Sequence, residues 1–406
     1  MGAMQQDRLR SIDSAEVAGK RVLVRADLNV PMADGEVTDA TRIERLLPTL
    51  RGLAERGAKV IVMSHFGRPK GARKPEFSLA PVAARMRTML NGTSVAFADD
   101  CVGEAAEAGA SGLAAGEVVV LENLRFHAGE EANDKGFARA LSALGDLYVN
   151  DAFSCAHRAH ASTEAIAHLL PAYAGPLMMA EISALRTALD APERPVAAIV
   201  GGAKVSTKIP VLSNLAGKVD ALVIGGGMAN TFLHAKGVNV GKSLCEPEFA
   251  ETVSKVTAAA ADAGCEIVLP VDAVVADEFR EGAASDICPV DAVPADAMIL
   301  DVGPASVDDL VARLGACRTV LWNGPLGAFE VAPFGEGTFA VAREAARLTG
   351  EGSMVTVAGG GDTVAALNAA GVTDQFTYVS TAGGAFLEWL EGRELPGVAA
   401  LENRNG

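Results

Sequence analysis

Short runs dominated by Val, Ile and Leu alternate along the chain with stretches in which Ala, Leu, Glu and Arg recur at helical spacing. Apolar runs of this kind predict strands buried on both faces, and the helical stretches between them predict crossovers. The expected architecture is therefore α/β, with parallel sheets covered by helices. In the first half the runs are RVLVRADLNVP (21–31), KVIVMSHFGRP (59–69), EVVVLENLRFH (117–127) and DLYVNDAF (146–153). In the second half they are VAAIV (196–200), ALVI (221–224), MVTVA (354–358) and TYVST (377–381).

The residues just past each strand differ between the halves. The first set runs into polar or cationic residues: Arg25, Asp27 and Asn29; Ser64, His65 and Arg68; Asn123, Arg125 and His127; Asn150, Asp151, His157, Arg158 and His160. The second set runs into glycines: Gly201-Gly202, Gly225-Gly226-Gly227, Gly359-Gly360-Gly361 and Gly383-Gly384. Open parallel sheets bind ligands at the carboxyl ends of their strands, so two sites are expected, one lined by cations and one by bare backbone. Residues 167–194 read as a Pro- and Gly-punctuated entry followed by an amphipathic helix, the candidate connector and hinge.

A length of 406 residues exceeds one ordinary core and favours two domains of roughly 200 residues each. Half the residues are apolar but only 5% are aromatic, which suits a core of small aliphatic side chains. The net charge of -16 opposes general binding to nucleic acid or an anionic membrane, because that binding depends on neutralising phosphates. No apolar stretch reaches the ~20 residues needed to span a bilayer, and the opening MGAMQQDRLRSID lacks the parts of a signal peptide. Cys101, Cys155, Cys245, Cys265, Cys288 and Cys317 are widely spaced with no Cys-x-x-Cys, which fits a reducing cytoplasm and indicates neither disulfides nor a zinc ribbon.

Arginines gathered at several strand ends of an acidic chain point to a small, multiply anionic ligand, since guanidinium forks grip phosphate and carboxylate through paired charged hydrogen bonds. One such arginine alone would read as a solvated end or a structural ion pair. The run AIVGGAKVSTK (198–208) predicts a strand, a glycine turn and a helix carrying Lys204 and Lys208 on one face, a phosphate cradle or else a tight turn followed by surface lysines. VAGGGDT (357–363) supplies Asp362 and Thr363, suited to Mg²⁺ and phosphate oxygens, or else an N-capped glycine turn.

Other motifs fail on inspection. GVNVGKS (237–243) lacks the first P-loop glycine, Lys236 standing there, and Asn230 and Val364 break the two candidate dinucleotide fingerprints. Arg158 between His157 and His160 argues against a metal site with Cys155, and no G-x-S-x-G elbow exists.

Taken in order, RADLNVP (25–31), SHFGRP (64–69), LENLRFH (121–127), NDAFSCAHRAHAS (150–162), GGAKVSTK (201–208), GGGM (225–228), WNGPLGAFE (322–330), GGGDT (359–363) and STAGGA (380–385) resemble phosphoglycerate kinase over almost the whole chain. The resemblance implies two similar-sized Rossmann-like lobes. They would be a 3-phosphoglycerate-binding domain at 1–172 plus 393–406, an interdomain helix and hinge at 173–194, and a nucleotide-binding domain at 195–392. It implies that Asp27, Leu28, Asn29, Arg42, His65, Phe66, Gly67, Arg68, Arg125 and Arg158 hold 3-phosphoglycerate. Lys208, Gly225, Gly226, Gly227, Asn323, Pro325, Glu330, Gly360, Gly361, Asp362 and Thr363 would hold ATP, with Asp362 serving Mg²⁺. Arg42 and Lys204 would grip the phosphoryl group in flight, assisted by helix starts at Gly202 and at Gly383 and Gly384. Ala382, where many relatives carry glycine, is expected to restrict the backbone slightly. The family is commonly monomeric.

The reaction so implied has a carboxylate acceptor, already ionised near neutrality, which needs no general base. Catalysis then reduces to alignment and electrostatic support, with hinge closure bringing the two ligands together. A kinase with an alcohol acceptor would need a basic Asp or His beside the acceptor oxygen. A non-catalytic nucleotide-binding protein of the same fold would transfer nothing.

Overall fold

The computed structural model describes residues 9–402, which divide into two units, one reaching Ile182 and resumed from Glu394, the other spanning Ser183–Arg393. Residues 1–8 and 403–406 lie outside the described part. The division falls within the helix Pro176–Leu189. Among the described residues, no helix is long and apolar enough to cross a membrane.

The first unit contains β1 (Arg21–Arg25), β2 (Met32–Ala33), β3 (Glu36–Val37), β4 (Lys59–Met63), β5 (Val95–Ala98), β6 (Val118–Leu121), β7 (Leu147–Asn150) and β8 (Ala172–Ala174). Six of these form a sheet in the order β5-β6-β4-β1-β7-β8, and every pairing in it is parallel. All four residues of β6 and all four of β7 are buried, as near-continuous apolar runs require when helices cover both faces. Register then does the positioning. Arg25 pairs with Met63 on one side and Asn150 on the other, so the segments after β1, β4 and β7 leave the sheet at one level.

The helix Thr41–Glu55 begins where Asp39 Oδ1 accepts the Thr41 amide at 2.8 Å. Ile43, Leu46, Leu50 and Leu53 recur at spacings of three and four and are buried against the sheet core with Val22, Val24 and Val60. Each such side chain contributes about 1.5–3 kcal/mol on full burial. That face fixes the helix, and Arg42 is thereby held in its first turn.

The second unit contains β9 (Val196–Val200), β10 (Ala221–Ile224), β11 (Glu266–Val268), β12 (Asp272–Ala276), β13 (Asp286–Pro289), β14 (Met298–Val302), β15 (Thr319–Asn323), β16 (Val355–Gly359) and β17 (Tyr378–Ser380). Its main sheet is parallel in the order β11-β10-β9-β15-β16-β17. Val200 pairs with both Ile224 and Asn323, and Gly359 with Ser380, so the glycine segments also emerge from one edge. The core gathers Ile199, Trp322, Val341 and Leu367.

Beside this sheet is a small antiparallel one, β13-β12-β14, that the apolar pattern does not predict. Its strands differ in burial: β12 is mostly buried, β14 is half-buried over its first three residues, and β13 shows a single half-buried residue among four.

Candidate active site

In the first unit the strand ends build a basic pocket wall. Arg25 is almost wholly buried, donating from Nη1 to the Ala26 carbonyl and lying 3.2 Å from His65 Nδ1 through Nη2. A guanidinium has no lone pair to offer, so Nδ1 must accept, and a neutral His65 carries its proton on Nε2. Burial first, then the charges of Arg25, Arg125 and Arg158, hold the His65 imidazole well below its ordinary value. His160 is lowered to about 4 by burial and by Arg125, Arg25 and Arg158. Arg125 is lowered too, by burial and by Arg158 and Arg25, against the pull of Glu131. Its Nη1 donates to the Gly67 carbonyl at 2.8 Å, whereas Nε stands 3.1 Å from Glu131 without hydrogen-bond alignment. Arg125, His65 and His160, whose charged forms burial and the neighbouring arginines disfavour, make this wall a candidate site for an anion.

The other expected substrate residues gather around this wall. Arg42 Nη1 donates to Asp27 Oδ1 at 3.0 Å and to the Asn29 carbonyl at 2.8 Å. Asp27 also accepts the Ser154 hydroxyl at 2.5 Å, and Asn29 Oδ1 accepts the Gly67 amide at 2.9 Å. The Leu28 amide donates to Ser64 Oγ and the Phe66 amide to Asn123 Oδ1, so both apolar side chains are buried as packing while their backbone is tied down. Arg68 is exposed and Arg158 Nε donates to His157 Nε2 at 3.1 Å.

The second unit holds a cavity of about 360 Å³, lined by Gly202, Gly226, Gly227, Pro325, Glu330 and Asp362 together with Leu244, Phe279 and Met298. Its floor is backbone against backbone: a Cβ on Gly201 would strike the Pro325 carbonyl, and Gly226, at φ +65°, would place one 2.7 Å from the Gly202 oxygen. Gly225 lies just behind, its amide bonded to Val200 O. Lys208 Nζ donates to Asn323 Oδ1, while Asn323 Nδ2 donates to the Gly359 carbonyl at 2.7 Å. Burial lowers the Lys208 ammonium, and Asp362 and Glu391 oppose that shift. Asp301, which also lines the cavity, is raised to about 7 by burial despite accepting the Gly337 and Val302 amides.

Three details depart from the sequence reading. Lys204 and Lys208 do not share a helical face: Lys204 is extended and exposed ahead of a 3-10 turn at Val205–Thr207, and the α-helix runs Ile209–Ala216 with Pro210 in its first turn. Gly202 does not start a helix. Its carbonyl instead accepts the Met228 amide at 3.1 Å. The Thr363 hydroxyl is already engaged, donating to Gly359 O at 2.9 Å and accepting from the Gly324 amide at 2.7 Å. The helix Gly361–Ala370 does start at the expected glycines, with Gly360 before it at φ +100° and Asp362 exposed in its first turn. Gly383, at φ +44°, precedes the helix Gly384–Leu390, so the left-handed position falls on a glycine and not on Ala382.

The apolar cavity walls escaped the sequence reading because Leu244 and Phe279 lie in loops of no periodic pattern, and Met298 in an unpredicted strand. A stretch as isolated as DEF (277–279) after a strand was the one available signal.

Among the described residues, two groups could hold a metal, Asp27 with His65 and Cys155, and Asp100 with Cys101 and His127. The first sits among Arg25, Arg125 and Arg158, whose charges oppose a cation. Asp362 offers one exposed carboxylate at the cavity, which fits Mg²⁺, an ion commonly bound by one or two carboxylates with substrate phosphates and water. All six cysteines are free.

Residues 12–393 match the model of the phosphoglycerate kinase family. A phosphoglycerate kinase of Methylorubrum extorquens is 63% identical over 389 residues, covering 96% of this chain and 97% of that one. Phosphoglycerate kinase of Rhizobium meliloti (strain 1021) is 61% identical over 393 residues, covering 97% and 98%. The solved phosphoglycerate kinase of Coxiella burnetii aligns with TM-score 0.90 and 43% identity over 97% of this chain and 98% of that one. That of Pyrococcus horikoshii OT3 aligns with TM-score 0.80 and 30% identity over the same shares. With an anion pocket at one set of strand ends, a glycine-floored cavity at the other, and relatives this similar across nearly their full lengths, the chain belongs to the phosphoglycerate kinase family.

Proposed function

We propose that this kinase moves a phosphoryl group reversibly between the carboxyl of 3-phosphoglycerate and ADP, forming or consuming 1,3-bisphosphoglycerate. The observation that carries the reading is the cluster of Arg25, Arg125, Arg158, His65 and His160, whose mutual repulsion an anion relieves. The acceptor carboxylate is ionised at neutral pH, so its attack needs no base. Asp27, a carboxylate beside this cluster, accords with this, being committed to Arg42 and Ser154.

In this reading Arg125, Arg158, Arg68 and the Nε2–H of His65 bind the substrate anion, and Asp27 with Asn29 orients it. Adenine occupies the cavity walls beside Gly226, Gly227 and Pro325, Glu330 meets the ribose, and Lys208 with Asn323 faces the phosphates. Mg²⁺, held by Asp362, would neutralise charge on the phosphate oxygens. Arg42, Lys204 and the backbone amides at Gly383 and Gly384 support the charge that spreads over the phosphoryl oxygens in the transition state. Because reacting atoms must come within about 3.5 Å, the reading includes hinge bending through 173–194.

A coupled assay tests it. Turnover is expected with 3-phosphoglycerate and ATP, and none with glycerol or another alcohol. Equal rates with an alcohol acceptor would overturn the carboxyl assignment.

A further inference from the structure

Arg25 and Glu130 are both withdrawn from solvent, at 1% and 0% exposure. A charge so placed is costly unless it is paired and hydrogen-bonded. The link between them runs through Ser162, itself fully buried. Arg25 Nε–H donates to Ser162 Oγ at 2.8 Å, and Ser162 Oγ–H donates to Glu130 Oε1 at 2.6 Å. The Ser162 amide donates to Glu130 Oε2 at 3.0 Å, so both carboxylate oxygens hold the same residue. Tyr148 O–H fixes the Ser162 carbonyl at 2.8 Å.

Direction is what makes this array informative. A guanidinium can only donate, so a lone pair of the Ser162 hydroxyl faces Arg25 and its one proton is left for Glu130 Oε1. Arg25 is then held with Nη2 toward His65 Nδ1 at 3.2 Å. We propose that Glu130 and Ser162 are positioning residues for the phosphoglycerate site: through Arg25 they keep His65 as the tautomer with its proton on Nε2, ready to donate to the substrate anion. Neither residue touches the substrate in this scheme. The proposal rests on the reading that the first unit holds 3-phosphoglycerate.

A purely structural role for the pair would leave the imidazole unaffected, so the ring itself is the readout. Two-bond ¹H–¹⁵N correlation spectra of the full chain at neutral pH are expected to show His65 Nδ1 as an unprotonated acceptor and Nε2 as protonated. The reverse tautomer in the unaltered protein overturns the proposal whether or not the enzyme is active. In Ser162→Ala and Glu130→Gln the spectrum is expected to lose this single tautomer. Affinity for 3-phosphoglycerate by calorimetry is expected to fall roughly tenfold or more, the scale of losing a hydrogen bond to a charged group. ATP affinity, set in the other unit, is expected to stay within twofold and serves as the check on folding. An unchanged His65 spectrum in a folded variant, or 3-phosphoglycerate affinity within twofold, sinks the proposal. Failure of the unaltered protein to bind 3-phosphoglycerate at all, with the expected tautomer present, overturns the functional reading and with it the substrate-facing half of this scheme.

Discussion

Arg25 and His65 are joined from Nη2 to Nδ1 across 3.2 Å, and the guanidinium can only donate. A proton on Nδ1 would therefore face a fixed positive charge. When an anion enters, part of the positive field is cancelled and the His160 imidazole becomes easier to protonate. Binding of sulfate, which does not itself titrate in this range, between about pH 4 and about pH 6 is expected to draw protons from solution. Calorimetry in buffers of different ionisation enthalpy measures this directly, and proton release would contradict the electrostatic description of the pocket.

The same shift governs stability without ligand. His160 falls from 6.5 to about 4 on folding, so below the unfolded value the unfolded chain binds more protons than the folded one. Stability from this group is present above about pH 6.5 and is lost progressively as pH drops toward about 4. Urea midpoints measured across that window are expected to decline, and to decline less in His160→Gln. Identical slopes for the two proteins would mean that His160 is not shifted.

Arg42 and Lys204 are assigned to the group in transfer. Replacing either by Ala is expected to lower turnover by about a hundredfold or more, as loss of one transition-state donor does elsewhere. Thermal midpoints are expected to change little, since Lys204 is exposed and Arg42 is about one-third exposed. Steady-state rates at saturating substrates decide the matter, and near-normal turnover removes the role.

Gly226 tests the backbone floor of the cavity. Its φ of +65° and the 2.7 Å approach of a Cβ to Gly202 O mean that Gly226→Ala is strained twice over. With ψ at −159° this backbone lies in a region essentially restricted to glycine, and any other residue there costs about 1–3 kcal/mol. A lowered melting temperature with weakened ATP binding is expected. Gly217→Ala, with nothing within 4 Å of its Cβ and φ of −87°, is the control expected to be neutral. Equal behaviour of the two would show that the crossing is not tight.

The part of the site legible in advance owes this to sheet geometry. A parallel sheet delivers every strand's carboxyl end to one edge, so the residues just past the apolar runs already bring Asp27, His65, Arg125 and Arg158 together. Local periodicity says less about the loops beyond. Lys204 and Lys208 fit a helix by spacing, yet Pro210 delays the helix and leaves Lys204 extended. Thr363 has the composition of a phosphate ligand, but its hydroxyl is taken by Gly324 and Gly359, a pairing created only when β15 and β16 lie side by side. Glu130 and Ser162 were invisible for a similar reason. Their separation in sequence is large, and only the folded unit brings them together behind Arg25.

Residues 394–402 fold back into the first unit, where the Gly397 amide donates to Ala156 O at 2.8 Å and Leu395, Val398 and Leu401 are buried. Ala156 stands between Cys155 and His157, two positions before Arg158, in the loop that carries part of the arginine- and histidine-lined wall. During synthesis this loop stays without its prop until Leu395, Gly397 and Val398 have left the ribosome. The first unit is thus completed only after the second has emerged, and the nascent chain cannot present the finished arginine- and histidine-lined wall before then.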